Sequence, residues 1–138
     1  MGDRCYLSIT LRRCDVDAFN KATEEDLLEC GAVEGAETTD DSGTVTVEMD
    51  EANYGWYNQR EAAAKAGIKF FGHQGEGGDY GACDFVSDGS GEELAVAVNR
   101  EGNVVVSVND KGRASDFELA NVRKFNKVLA AAKKELGQ

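Results

Sequence analysis

Basic side chains are scarce where acidic ones crowd. Between Asp15 and Glu51 stand thirteen acidic residues and a single basic one, Lys21, and the 138-residue chain has a formal charge of −11. A phosphate-binding surface needs a Lys/Arg footprint, so the composition argues against direct binding to nucleic acid or to an anionic membrane. Long apolar runs are missing too: no stretch approaches the ~20 residues of a membrane-spanning helix. No apolar segment of the signal-peptide kind follows Met1. The four cysteines, Cys5, Cys14, Cys30 and Cys83, fall in no CxxC or CxxxC spacing, and His73 is the only histidine. That excludes the usual zinc sets. The acidic runs lack the alternating ligands and closing Glu of a calcium loop, so no metal and no cofactor is expected. Together these absences read as a cytoplasmic protein with reduced thiols. Proline is absent altogether, for which the sequence offers no reason.

What is present suffices for one domain over residues 1–138 with a core that needs no staples. Residues 4–12 alternate, with Cys5, Leu7, Ile9 and Leu11 on one face, which predicts a half-buried strand. Asp15 can cap a helix whose stripe is Val16, Phe19, Thr23, Leu27 and Cys30, with Gly31 as its stop and a break allowed at Thr23. Its outward residues Asp17, Glu24, Glu25 and Glu29 would form an acidic face. Residues 31–43 read as a loop, with room for a short strand and with turn chemistry at Asp40-Asp41-Ser42-Gly43. Thr44–Met49 is a second strand. Asn53 is placed to cap a central helix that ends at Gly67.

Four further strands follow, at Ile68–Phe71, Ala82–Ser87, Glu93–Asn99 and Val104–Val108. The last two pair as a hairpin, for which a two-residue loop sets Val98 opposite Val105. A C-terminal helix opens with a capping box, Ser115 and Glu118. Its residues Lys133 and Lys134 complement the helix dipole. No internal repeat is found. The order β-α-β-α-β-β-β-β-α predicts an α+β fold: a mostly antiparallel sheet with helices packed on one face, a two-layer sandwich of ferredoxin-like or related type.

The most distinctive stretch runs from Asn53 to Gly81. It holds the only Trp, the only His, three of the four Tyr, and Gly72, Gly75, Gly77, Gly78 and Gly81. The glycine spacing is not that of a dinucleotide or phosphate loop, and Glu76 and Asp79 would repel phosphate. His73 with Cys83 could build a nucleophilic pair, but a thiol at the start of a strand is more often buried than activated. No catalytic residue is assigned, and a non-enzymatic protein is expected. Tyr54 and Tyr57 follow the acidic pair Asp50-Glu51, and aromatic rings beside carboxylates suit the gripping of Arg and Lys.

The run from Tyr54 through Gly81, with Ala66-Gly67-Ile68 entering a strand and GHQGEGGDYG after it, resembles small acidic proteins of phages and other mobile elements. Those of the anti-CRISPR or anti-restriction type share its size, charge and style. The resemblance implies an inhibitor and carries over no functional residue. With the charge map it gives the leading expectation: a binding protein, inhibitor or adaptor, that occupies a basic, nucleic-acid-binding surface of another protein. The partner-binding residues would be Asp17, Glu24, Glu25, Glu29, Asp40, Asp41, Asp50, Glu51, Tyr54 and Tyr57. The alternative is a small-ligand protein or enzyme. There the Gly72–Gly81 loop and His73 close over a pocket with Trp56, Tyr57, Asp79 and Tyr80.

Overall fold

A computed structural model describes residues 4–35, 43–77 and 81–136. The strands are β1 (Arg4–Arg12), β2 (Ala32–Glu34), β3 (Thr44–Asn53), β4 (Lys69–Gln74), β5 (Cys83–Asp88) and β6 (Glu93–Ala97). The helices are α1 (Val16–Thr23), α2 (Tyr57–Lys65) and α3 (Asp116–Glu135). All pairings are antiparallel, in the strand order β2-β3-β1-β4-β5-β6. Strands β1 and β2 therefore run the same way with β3 between them, and β3 and β4 run the same way with β1 between them. Each such pair is joined through a helix, so the first four strands with α1 and α2 form the doubled split β-α-β arrangement of ferredoxin-like sheets. Strands β5 and β6 extend it on one side. The expected α+β class and antiparallel sheet are found.

The alternation of β1 places Leu7, Ile9 and Leu11 wholly inside. They meet Val45, Val47 and Met49 of β3, Phe70 and Phe85 of the next strands, Val16 and Phe19 of α1, and Ala63 and Ala64 of α2. The opposite face of the sheet carries a second core: Phe71, Val86, Leu94 and Val96 pack against Phe125, Leu129 and Ala132 of α3. The expectation of helices on one face thus holds for α1 and α2, whereas α3 covers the other face over β4–β6. The reason lies in the strands: β4 and β5 carry large apolar residues at adjacent positions (Phe70-Phe71, Phe85-Val86), so both faces need cover.

Local differences have local causes. Helix α1 stops at Thr23, the break that the stripe allowed, and Glu24 turns left-handed at φ 60°. Thr23 Oγ1 donates to Phe19 O and accepts from Glu25 N, and Asn20 Oδ1 accepts from Leu27 N, so side chains replace the helical ladder. Asp15 makes no side-chain cap bond. The short strand in 31–43 is β2. The expected strand Val104–Val108 is not one: Val104 and Val108 enter only isolated bridges, with Val98 and Ala114. Val98 thus faces Val104 rather than Val105, and the element order becomes β-α-β-β-α-β-β-β-α.

A repeat explains it. Val98-Asn99-x-x-Gly102 recurs ten residues on as Val108-Asn109-x-x-Gly112. In each copy the Asn side chain accepts two backbone N–H groups and the Gly N–H returns to the Asn carbonyl. Two tight turns thereby consume the residues a hairpin would have used.

Helix α3 begins as expected. Ser115 Oγ accepts from Glu118 N at 3.0 Å. The Glu118 carboxylate accepts from Ser107 N instead of closing the box.

Candidate functional site

The second helix does not start at Asn53, which makes no side-chain cap bond. Three consecutive residues, Tyr54, Gly55 and Trp56, take positive φ of 53°, 61° and 57° before α2 begins at Tyr57. Left-handed backbone is cheap only for Gly, and at Tyr54 and Trp56 it costs on the order of 1–3 kcal/mol each. The turn is held from three sides. Trp56 is buried and stacks on Phe19 with ring centroids 6.4 Å apart. Arg60 Nε donates to Gly55 O at 3.0 Å. Gly55 itself lies so close to Gln74 that a Cβ would stand 2.2 Å from its Oε1. A larger residue there would have to push the Gln74 side chain off Arg60 and still hold positive φ.

Arg60 is the centre of this arrangement. Its side chain is 4% exposed, and its guanidinium lies 4.1 Å from the Phe85 ring centre. Nη1 donates to Glu93 Oε1 and Nη2 to Gln74 Oε1, both at 2.9 Å. Glu93 Oε2 is buried and has no hydrogen-bond partner among the described residues. An orphaned buried acceptor costs about 1–3 kcal/mol. Burial pushes the Glu93 carboxyl up to about 7, against the pull of Arg60, and Glu61 adds to the rise. Over this group opens a cavity of ≈ 720 Å³, lined by Tyr54, Tyr57, Asn58, Arg60, Gln74, Gly81, Cys83, Glu93 and Ala95. It lies where α2 leaves the sheet between β4 and β6 incompletely covered. Burial raises the Cys83 thiol, and Arg60 only partly offsets this. The thiol therefore stays protonated, which suits a wall and not a nucleophile.

Sequence reading missed Arg60 and Glu93. The signal for Arg60 was present: it falls four residues after Trp56 and three and four before Ala63 and Ala64, on the buried stripe of the helix. Glu93 carried none, because its burial is set by β5 and α2.

The residues of the alternative pocket are not brought together. Trp56 is core. His73 sits one residue before Gln74 on β4 and so faces the other side of the sheet from the Arg60 cavity. Cys83, next to Asp84, likewise faces away from His73. Asp79 and Tyr80 lie outside the described residues. Gly72 belongs to β4 rather than to a loop, and a Cβ there would stand 1.9 Å from Ser8 O.

His73 instead belongs to a polar row across the sheet: Glu48, Ser8, His73 and Asp84 are successive cross-strand neighbours. His73 Nδ1 lies 2.7 Å from Asp84 Oδ1. The residue types suit acyl transfer, but the backbone N–H groups of these inner strands are spent on the sheet ladder. Among the described residues the row therefore offers no backbone oxyanion donors, a large source of rate in such chemistry.

Several of the acidic residues gather around a second opening. Glu25, Asp50 and Glu51 rim an open groove of ≈ 820 Å³ with Arg4, Cys30, Met49, Asn53 and Trp56. Burial raises the Cys30 thiol, and the charges of Glu25, Asp26 and Glu29 raise it further, so these three carboxylates lie near it. Glu48 and Asp50 likewise help raise Tyr6, after burial. Arg4–Glu51, at 3.5 Å and exposed, is the one ion pair of this region among the described residues. Asp17 and Glu24 are exposed on and after α1. Asp40 and Asp41 lie outside the described residues. Tyr54 and Tyr57, 48% and 58% exposed, line the Arg60 cavity and not the acidic groove. Trp56, in the turn between them, touches the groove.

No helix is long and apolar enough to cross a membrane among the described residues, and these residues contain no cluster of ligating side chains suited to a metal ion. No protein family, no curated protein and no solved structure matches the chain.

Proposed function

We propose that this is a cytoplasmic binding protein, an inhibitor or adaptor, whose acidic groove occupies a basic, nucleic-acid-binding surface of another protein in the manner of phage anti-defence proteins. The observation that carries the reading is the concentration of carboxylates around one groove, with Arg4 alone as exposed counter-charge among the described residues that line it. Glu25, Asp50 and Glu51 stand at its rim, and Asp26 and Glu29 lie with Glu25 around Cys30. A partner's Lys and Arg side chains would find several carboxylates there, and charge-assisted hydrogen bonds to carboxylates are among the stronger polar contacts. The mechanism is competitive: the carboxylates take the positions that phosphates otherwise hold. Association would be steered electrostatically and weaken with salt.

The test is affinity capture from a bacterial lysate at low and high salt, with wild type and with Glu25→Lys, Asp50→Lys and Glu51→Lys combined. The expected result is a Lys/Arg-rich partner held by wild type at low salt, released by high salt or by added nucleic acid, and not held by the triple variant. A partner held equally by the variant, or indifferent to nucleic acid, overturns the reading.

A further inference from the structure

We propose that the cavity above Arg60 and Glu93 is a binding site for an uncharged planar heterocycle that presents a hydrogen-bond donor beside an acceptor, as a nucleobase does. This site is separate from the acidic groove, and its argument does not rest on the protein-binding reading.

Four observations converge. The first is size: ≈ 720 Å³ lies within the range of small-molecule sites and suits a base or nucleoside. The second is the wall. Two tyrosine rings, about half exposed, line the opening, and an aromatic wall rewards a flat ligand by stacking.

The third is the floor. Arg60 has five N–H donors, of which three meet Gly55, Glu93 and Gln74. Two are left without an acceptor among the described residues. Beside it Glu93 Oε2 has no donor among them and almost no open surface, so a ligand reaches it by a small turn of the carboxylate, whose side chain is 14% exposed. A donor and an acceptor side by side are the complement of an edge carrying C=O or ring nitrogen next to N–H. Such an edge satisfies both groups and brings no charge into the buried pair. Charged ligands fare worse: an anion meets Glu93 and the −11 of the chain, and a cation meets Arg60.

The fourth is strain. The left-handed turn Tyr54-Gly55-Trp56 is the one place among the described residues where three successive residues hold positive φ. It is clamped by the same Arg60 and Gln74 that form the floor. Strain of this kind persists where surrounding contacts over-determine it, and it concentrates at ligand sites.

The negative charge of the protein favours a free base or nucleoside over a nucleic-acid strand. Donation to Glu93 favours its ionised form, so binding strengthens as pH rises through neutrality. The charged and titratable groups facing Glu93 are Arg60 and Glu61 of α2 and Cys83 of β5, with Tyr57 at the rim.

The experiment is calorimetric titration of the full chain with guanosine and uridine. The controls are 1-methylguanosine and 3-methyluridine, which keep the ring and lose the N–H, and glucose, which lacks a planar face. Binding of at least one parent nucleoside is expected, weakened about tenfold or more by methylation and by Tyr57→Ala, which removes a stacking face. Glu93→Gln should abolish the rise of affinity with pH. Tyr57 is exposed, so circular dichroism of Tyr57→Ala should match wild type and keep that arm readable. No binding of either nucleoside, or equal binding of parent and methylated forms, overturns the proposal. So does affinity unchanged in both variants.

Discussion

Glu93→Gln should make the protein's stability nearly independent of pH in the window where wild type loses it. A carboxyl ordinarily titrates near 4.5, and burial lifts this one to about 7. Between those values the folded protein holds a proton at Glu93 that the unfolded chain has released. Stability therefore falls as pH rises. The contribution is complete below the ordinary carboxyl range and is lost as pH climbs through about 7. Each pH unit between the two values is worth ~1.4 kcal/mol, so the loss is about 3 kcal/mol. The side chain is only 14% exposed, so solvent screening removes little of it. Gln keeps a carbonyl to accept from Arg60 Nη1 and has no proton to lose.

Urea unfolding of both proteins, followed by tryptophan fluorescence, measures the effect. With a slope typical of a chain this long, the wild-type midpoint should fall by about 2 M relative to the variant across the window. The carboxyls lowered by their partners, Asp88 through Ser90 and Glu135 through Lys69, lose their contributions as pH falls. They cancel in the comparison. A free-energy difference between the two proteins that stays constant across the window refutes the account of a carboxyl held against its own desolvation.

Gly72→Ala should cost about 3 kcal/mol or more, because its Cβ would stand 1.9 Å from a strand carbonyl and 2.7 Å from the Phe85 ring; a urea midpoint near wild type would show the sheet can part there. Ser115→Ala should cost about 1 kcal/mol through loss of the bond to Glu118 N, read as a loss of helical ellipticity at lower temperature. Phe117 is 87% exposed, so Phe117→Asp should change unfolding free energy by no more than about 0.5 kcal/mol. A larger loss, dependent on protein concentration, would mean that a second copy covers it.

Features that depend on neighbours along the chain were legible before any fold was known. The alternation of residues 4–12 specified a strand with one apolar face, because successive side chains point to opposite sides. Ser115 and Glu118 announced the start of α3, and the charge imbalance of 15–51 was complete on the page. The two Asn-x-x-Gly turns also stand in the sequence at ten-residue spacing, but strand-like valines concealed the repeat until the Asn99 and Asn109 side-chain bonds revealed it.

The place of α3 came from packing, since its stripe fits any apolar face and the pairing of β4 with β5 created the one that remained open. Packing also decided the left-handed turn at Tyr54–Trp56. No local preference selects positive φ for Tyr or Trp; the burial of Trp56 against Phe19 and the reach of Arg60 to Gly55 outweigh the cost. The polar centre is of the same kind. Arg60 and Glu93 are 33 residues apart, and neither is unusual until the sheet removes water from both. Their pairing, the raised carboxyl and the cavity above them come from desolvation, which is a property of the folded assembly and of no segment within it.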